Sequence, residues 1–244
     1  MMISQLIDRL SSLETIVSQM QTENAKLKNE LRLDRHRRYM SELTTIMQHE
    51  RERMLEEKQN ILIQSRKYQT YAKSSPSKSS PSYENGTIII SKDADGDMMV
   101  SVQYNVNGSI KIFKHMTING KVVQHGDFDN DGKMYYGWKI EGDEIEQGGF
   151  VHEKLECEIG IKMDSFCIEK GRFVNGELQN GVMLNIFDEF CNCLKGDFVD
   201  GKLKNGIETY QCDIRAVHDG KDYNGIDGIK YLDEYATYDE ESEE

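Results

Sequence analysis

Three aspartates at alternate positions form the clearest metal-binding pattern in this 244-residue sequence. Asp127, Asp129 and Asp131, followed by Gly132, give a D-x-D-x-D-G string, whose alternate carboxylates are typical of the first half of a calcium loop. The twelfth position of such a loop needs a bidentate Glu, and here it is Trp138. The alternative is a plain hairpin turn at Asp131-Gly132, and the sequence favours it. The three aspartates stay a calcium candidate.

Two thiols and the histidines are the other residues that could do chemistry. Cys191 and Cys193 are separated by one residue, which in a strand places both thiols on the same face. A zinc site would need two further ligands, so burial as small hydrophobic residues is favoured. The six histidines are scattered, and there is no H-E-x-x-H arrangement, phosphate-binding loop or nucleophile elbow. The sequence predicts no enzyme, no catalytic residue and no cofactor.

Composition limits the class of protein. Only 37% of the residues are hydrophobic and 30% are charged, which predicts one or two domains with a lean core. Five cysteines without regular spacing, and a Met-Met-Ile-Ser start without a basic or apolar segment, argue against secretion and disulfides. No stretch approaches ~20 consecutive apolar residues. The sequence therefore predicts a reduced, intracellular protein of the cytoplasm, or of the host cytoplasm if it is viral.

The net charge of −13 is unevenly distributed. Residues 1–82 contain 14 Lys and Arg against 10 Asp and Glu, which gives +4, whereas residues 83–244 contain 16 against 33, which gives −17. Nucleic acids and anionic membranes attract positive surfaces. The acidic C-terminal part therefore predicts no nucleic-acid binding and disfavours membrane lipid as a partner.

A helix with a narrow apolar seam is predicted at the N-terminus. The seam residues recur at alternating spacings of three and four, which is typical of a coiled coil rather than of a helix packed on a globular core. These predicted oligomerisation residues are Ile3, Leu6, Leu10, Leu13, Val17, Met20, Asn24, Leu27 and Leu31. Asn24 occupies an a position, where it can pair with its own copy and specify a dimer. The alternative is that it only interrupts the seam.

The basic residues after the seam belong to a further helical segment. The string TENAKLKNELR, residues 22–32, resembles the leucine zipper of basic-zipper DNA-binding proteins, but those proteins place their basic region before the zipper. Arg32 and the arginines that follow it lie among acidic residues, so a solvated helix face is favoured over DNA binding. Beyond Leu31 the apolar phase changes, which indicates either a stutter in one long stalk or a separate helix that folds back.

A Ser- and Pro-rich linker is predicted between the two halves of the chain. KSSPSKSSPS, residues 73–82, contains both prolines and can continue neither a helix nor a sheet ladder. Ser75 and Ser80 each precede a proline, and the first resembles a substrate site of proline-directed cyclin-dependent kinases. The alternatives are plain linker chemistry and phosphorylation, which would shift the charge of the junction from positive toward neutral.

Antiparallel hairpins are predicted in the C-terminal half. Short β-branched and aromatic runs alternate with Asp-Gly and Asn-Gly pairs, which favour type I′ turns. GRFVNGELQNG at 171–181 is repeated as GDFVDGKLKNG at 196–206, and related strings start at residues 126, 148 and 215. A spacing near ~22 residues accommodates two strands and two turns. No sustained helical periodicity is visible in this half.

The repeated positions have predicted structural roles. Positive φ in a turn is expected at the second glycine of each unit, namely Gly176, Gly201 and Gly220. Another turn or a close backbone approach is expected at the third glycine, namely Gly181, Gly206 and Gly225. A ladder of aromatic rings is expected from the repeated phenylalanines Phe128, Phe150, Phe173 and Phe198.

The pattern Gly-x-Phe-x-x-Gly-x-x-x-x-Gly over residues 126–228 resembles MORN repeats (membrane occupation and recognition nexus) and related bacterial MORN-variant repeats. The resemblance implies stacked antiparallel hairpins in an elongated, twisted single sheet that acts as an assembly scaffold or protein-binding surface. Phospholipid binding is proposed for some members. This sequence has mostly lost the opening tyrosine and glycine, adds one residue between the later glycines and has few basic residues, which argues against lipid binding.

The predicted fold is α+β, with an N-terminal helical coiled coil followed by an elongated antiparallel hairpin-repeat sheet. The predicted domains are a coiled coil (1–72), a linker (73–86), degenerate hairpins that cap an edge (87–125), MORN-like repeats (126–231) and a disordered acidic tail (232–244). The predicted function is a non-enzymatic oligomeric scaffold or adaptor, a homodimer that binds protein partners through its β-repeats. The alternatives are a viral or cytoskeletal assembly component and a peripheral membrane-binding module.

Overall fold

The computed structural model describes residues 2–74, 82–83, 86–92, 98–106, 109–118, 121–129, 133–186, 191–210 and 213–236. Two helices and fifteen strands lie within these ranges. They are α1 (Met2–Ser74), β1 (Ser82–Tyr83), β2 (Gly86–Lys92), β3 (Met98–Val106), β4 (Ser109–Ile118), β5 (Val122–Phe128), β6 (Met134–Glu141), β7 (Glu144–Val151), β8 (Lys154–Leu155), β9 (Cys157–Met163), β10 (Cys167–Val174), β11 (Glu177–Ile186), β12 (Cys191–Val199), β13 (Lys202–Tyr210), β14 (Asp213–His218), β15 (Lys221–Tyr223) and α2 (Gly225–Ala236).

Helix α1 is continuous over 73 residues because nothing in its sequence interrupts it. It contains no glycine and no proline, the two residues that most destabilise a helix interior. It ends shortly before Pro76, and the residue that precedes a proline disfavours the helical conformation. At ~1.5 Å per residue the helix is ~110 Å long. The alternative of a separate helix that folds back is therefore wrong.

The strands form one antiparallel sheet whose order follows the sequence. The exception is β8, which pairs with β7 beside the main path, so that β7 neighbours β9. This order needs only short hairpin connections, some of which are Asn-Gly or Asp-Gly turns. The predicted α+β class with an elongated sheet is confirmed. The hairpins predicted for 87–125 extend the same sheet as β2 to β5 and do not form a separate cap.

Within the described residues, three hairpins turn at an Asn-Gly or Asp-Gly pair with positive φ at both residues. The glycines have φ of 85°, 71° and 73° at Gly176, Gly201 and Gly220, as the sequence predicted. The preceding residues have φ between 50° and 55°, and are Asn175, Asp200 and Asp219. Positive φ at both central residues is the type I′ geometry, whose twist matches that of the flanking strands.

The hairpin of β7 and β8 makes its turn without glycine. His152 and Glu153 have φ of 50° and 65°. A side chain in this conformation costs ~1–2 kcal/mol per residue because its Cβ approaches the following carbonyl oxygen. This is the repeat in which the sequence lacks the inner glycine, so the turn geometry is kept at the expense of strain.

A line of glycines, the glycine ladder, crosses eight neighbouring strands. Its members are Gly126, Gly137, Gly148, Gly160, Gly171, Gly181, Gly196 and Gly206. A Cβ on Gly181 would lie 2.2 Å from the carbonyl oxygen of Lys170 and 2.8 Å from the Cα of Gly171. The third glycine of the repeat, at Gly181 and Gly206, therefore serves a close backbone approach, one of the two roles predicted for it.

The second half of α1 lies across the strands on one face of the sheet. Its most deeply buried apolar residues recur every seven positions and are at most 1% exposed: Met40, Met47, Met54 and Ile61. Seven helical residues advance ~10.5 Å, and two strands of a sheet span ~9.6 Å. Successive buried residues therefore meet successive hairpins. They pack on a row of apolar side chains that includes Ile145, Met163, Ile168 and Leu184, one from each strand.

Polar contacts along α1 follow the strands in reverse order. The hydroxyl of Tyr39 contacts Lys195 on β12, and Glu50 lies 3.3 Å from Lys170 on β10. Arg53 then donates to Gln147 on β7 at 2.7 Å. The prediction of a coiled coil over residues 1–72 is therefore wrong for the second half of the helix, because that half packs on the sheet of its own chain. The phase change beyond Leu31 marks the point where the helix reaches the sheet.

A second apolar cluster contains the repeated phenylalanines. Phe150, Phe173 and Phe198 are buried in it, and Phe128 is packed against it. Since Lys170 contacts α1, the alternation along β10 places Phe173 on the opposite face of the sheet. On this face the phenylalanines are buried together with apolar side chains of the neighbouring strands, which include Leu155, Leu178 and Leu203.

Helix α2 corrects two predictions for the C-terminus. The half beyond residue 86 was expected to lack helices and residues 232–244 to be disordered, but Gly225–Ala236 is helical. It buries Ile229 and Leu232 and packs against β13, β14, β15 and α1. Gly225 is accordingly the first residue of a helix and serves neither a hairpin turn nor a close strand approach.

The predicted linker is shorter at both ends. Residues 73–74 complete α1, and Ser82–Tyr83 pairs with the start of β2. Ser75 and Ser80 lie outside the described residues, as does the acidic tail beyond residue 236.

Candidate interaction surface

The C-terminal end of the sheet anchors α1 immediately after the predicted seam. His36 is 3% exposed, and its Nε2 lies 3.0 Å from Oδ1 of Asp233 on α2. Arg32 lies 3.6 Å from the other oxygen of the same carboxylate. Arg37 donates to Asp213 at the start of β14, a hydrogen bond that raises the pKa of the guanidinium. Arg32 and Arg37, which follow the seam, thus bind carboxylates of their own chain.

N-terminal to this anchor, α1 continues with its seam uncovered. Six predicted seam residues are between 51% and 68% exposed: Leu10, Leu13, Val17, Met20, Leu27 and Leu31. Asn24 is exposed with them. Ile3 and Leu6 belong to α1, but their side chains lie outside the described part of the chain. The structure therefore places the described members of the seam on one uncovered stripe.

The polar contacts of this segment stay within the helix. Thr15 and Thr22 donate to the carbonyl oxygens of Ser11 and Ser18, four residues earlier, at 2.9 and 3.0 Å. Lys26 pairs with Glu30 one turn further on. Most helical stability in proteins comes from the packing of an apolar face. Burying one of these Leu side chains is worth ~1.5–3 kcal/mol, so the seam is the largest source of stabilisation left unused along residues 9–31.

The anchor and the sheet-packed half of α1 were missed by sequence reasoning. The seven-residue recurrence of Met40, Met47, Met54 and Ile61 was the available signal. The change of apolar phase beyond Leu31 was interpreted as either a stutter in one long stalk or a separate helix that folds back, and neither alternative placed these residues against the sheet. Asp233 could not be found as the partner of His36 because it lies within residues expected to be a disordered tail.

The face of the sheet opposite α1 carries alternating charges in neighbouring strands. Lys139 lies 3.7 Å from Glu146, and Lys162 lies 2.9 Å from Glu144 and 4.0 Å from Glu146. Burial raises the pKa of Glu146 and of Glu169, because desolvation disfavours the ionised carboxylate. The carboxylates are interleaved with lysines, so the arrangement is that of cross-strand ion pairs rather than of an acid and base pair.

The three aspartates of the calcium candidate lie partly in and beside β5 and partly outside the described residues. Asp127 lies in β5, and Asp129 follows it. The carboxylate of Asp129 accepts a hydrogen bond from the amide of Lys133 at 2.8 Å, and its own amide donates to the carbonyl of Lys133 at 2.9 Å. Asp131 lies outside the described residues. Within the described ranges, no three His, Cys, Asp or Glu side chains are grouped so as to hold a metal ion.

The described cysteines are free thiols. Cys193 is fully buried under α1, and desolvation raises its pKa to about 11. Desolvation raises the pKa of Cys167 to about 12. Cys191 is exposed, with its sulfur 3.8 Å from the amide nitrogen of Gln48. Since the thiolate is the nucleophilic form, the raised pKa values disfavour the reactive form of Cys167 and Cys193 at neutral pH.

The sequence matches no protein-family model and no curated protein. The resemblance to MORN repeats therefore stays a prediction from the repeated residues. In the described part of the chain, neither helix combines the length and the apolar character needed to cross a bilayer.

Proposed function

We propose that this protein is a non-enzymatic homodimeric scaffold. The N-terminal segment of α1 pairs through its seam with the same segment of a second copy, and the β-repeat sheets bind protein partners. The observation that carries the proposal is the uncovered stripe of six apolar side chains on a helix that continues past its own sheet.

The spacing of the stripe supports pairing with one helix. An alternation of three and four residues gives a narrow seam that fits the knobs-into-holes contacts of a coiled coil. A globular surface would cover a broader apolar face. The residues on the other sides of this segment are polar or charged, apart from Met2, Ile7, Ile16 and Ala25, so the seam is its one continuous apolar row.

The sheet supports the scaffold role through repetition and charge. The repeated hairpins present similar surfaces along one sheet, and a dimer would double every site, so that weak contacts gain avidity where a partner can engage both copies. The balance of −17 over residues 83–244 favours protein partners with a basic surface and opposes anionic ones.

The test is the mass of the full chain in solution, measured by light scattering. The chain of 28.2 kDa is expected at twice that mass. Leu13→Glu/Met20→Glu places charges in the seam and is expected to give the monomer with an unchanged circular dichroism signal from the sheet. Ser12→Glu/Gln19→Glu, which adds the same charge one residue away on the outer side of the helix, is expected to stay dimeric.

Two results would contradict the proposal. A wild-type chain of monomeric mass at tens of micromolar would remove the homodimer. A seam variant that still self-associates would show that the sheet drives assembly, which favours the alternative of a structural assembly component.

A further inference from the structure

We infer that the two helices of the dimer run parallel and in register, with both sheets at the same end of the coil and on its outer sides. This inference rests on the proposed homodimer and specifies its geometry. It follows from the direction of the seam relative to the sheet, from the charges that flank the seam and from Asn24.

The seam and the sheet lie on opposite sides of α1. Met40, which is buried under the sheet, follows the seam residue Leu31 by nine positions. At ~3.6 residues per turn this is about two and a half turns, so the two side chains leave opposite sides of the helix. Met47 lies at nearly the same angle as Met40, because seven residues are close to two turns. A second helix can therefore cover the seam without meeting the sheet of the first chain.

Beyond Leu31 the seam side of the helix becomes polar. Arg38, Glu42 and His49 continue the line of the seam at about the same angle and are exposed. The apolar contact between two copies therefore ends where the contact with the sheet begins. In a parallel pair both sheets would start at this level, one on each outer side, whereas an antiparallel pair would place them at opposite ends.

Charges flank the seam in a pattern that fits the parallel arrangement. In a parallel two-stranded coil, the residue that precedes an a position is called g, and the residue that follows a d position is called e. Each g residue of one helix faces the e residue of the partner helix that lies five positions further along the sequence. The three such pairs with two charged members all have opposite signs: Arg9 with Glu14, Glu23 with Lys28, and Glu30 with Arg35. All six side chains are exposed. Contacts of this kind set orientation and partner choice more than affinity.

Asn24 supports the same register. In a parallel, in-register pair its amide faces the amide of its own copy, and each can donate and accept a hydrogen bond. In an antiparallel pair an a residue faces a d residue, and the d residues of the seam with described side chains are Leu13, Met20 and Leu27. These offer Asn24 no hydrogen-bonding partner. A shift by one heptad would place it against Val17 or Leu31, which offer none either.

A pair of charge-swapped full-length chains tests the orientation. One chain carries Glu23→Lys/Arg35→Glu and the other carries Lys28→Glu/Glu30→Lys, so neither chain changes its net charge and pairing cannot be driven by opposite net charges alone. In a parallel coil each variant alone sets like charges against each other, and the mixture restores four attractive contacts. After mixing equal amounts, native mass spectrometry is expected to find about nine heterodimers in ten dimers, compared with about half for random pairing.

The outcomes separate this inference from the homodimer itself. Random pairing in the mixture, or a mixture that stays monomeric while the wild-type chain is a dimer, would overturn the parallel arrangement and leave the homodimer standing. A wild-type chain that is monomeric would remove both. A control mixture of wild-type chains that differ only in isotope content is expected to give the random half.

Discussion

Two glycine-to-alanine substitutions, one in the glycine ladder and one in a hairpin turn, should distinguish a steric clash between strands from backbone strain. Gly181 has a φ of 149°, and an added Cβ would meet the carbonyl oxygen of Lys170 at 2.2 Å. Gly201 has a φ of 71°, and an added Cβ would meet nothing within 4 Å. Both substitutions force a side chain onto a backbone that favours glycine, but only Gly181→Ala also collides with the neighbouring strand. The pair therefore shares a positive φ and differs chiefly in the space around the added Cβ.

The magnitudes follow from these distances. A Cβ needs about 1 Å more room than the ladder offers, which would lengthen the neighbouring hydrogen bonds between β10 and β11 beyond their normal range. Losing two or three of them at ~1 kcal/mol each, together with ~1–3 kcal/mol of backbone strain, predicts a loss of ~4 kcal/mol for Gly181→Ala. For Gly201→Ala the strain of ~1–2 kcal/mol is the whole effect.

The assay is urea unfolding at one protein concentration, followed by circular dichroism of the sheet and by fluorescence of Trp138, the single tryptophan. The expected order of unfolding free energies is wild type, then Gly201→Ala, then Gly181→Ala, with a gap of at least ~2 kcal/mol between the variants. Equal effects would refute the reasoning, because the ladder would then need glycine for its φ and not for the approach of the strands.

Three further predictions concern α1, one turn and one buried carboxyl. Met47→Ala should lower the free energy of unfolding by ~2–5 kcal/mol, since it empties a site under the sheet; Ile46→Ala, at a neighbouring position that is 54% exposed, should change the free energy by less than ~0.5 kcal/mol. Glu153→Gly should raise the melting temperature by relieving a φ of 65°, and an unchanged or lower value in calorimetry would contradict this. Folding raises the pKa of Glu169, so the folded state binds the carboxyl proton more tightly than the unfolded state does. The folded state therefore loses stability as the pH rises from the ordinary pKa of 4.5 through the raised pKa of the folded state. Glu169→Gln should therefore gain stability relative to wild type between about pH 4 and pH 7 in urea titrations, and a constant difference would argue against it.

Local chemistry made several features of this protein predictable. The Asn-Gly and Asp-Gly turns could be located from the sequence because positive φ at Gly176 and Gly201 is a preference of the residue itself. The turn glycines and β-branched runs were sufficient to predict a sheet of consecutive hairpins. The repeated phenylalanines were expected to lie together as a ladder because their spacing repeats with the hairpins, and the structure places them in one apolar cluster.

Longer-range packing decided the rest. A seven-residue recurrence suits both a partner helix and a sheet whose hairpins repeat every two strands, since both present binding sites ~10 Å apart along a helix. The residues of α1 therefore could not say that Met40 faces its own sheet while Leu31 remains uncovered. Helix α2 is short, so its few apolar positions did not predict a helix from the sequence. Their role became clear only from their packing on β13, β14, β15 and α1. The sequence by itself determined the turns, the strand order and the seam, whereas the tertiary structure decided which half of the helix is left for a partner. The spacing of apolar residues shows which face of a helix they share, but it does not show which part of the protein or of a partner packs against that face.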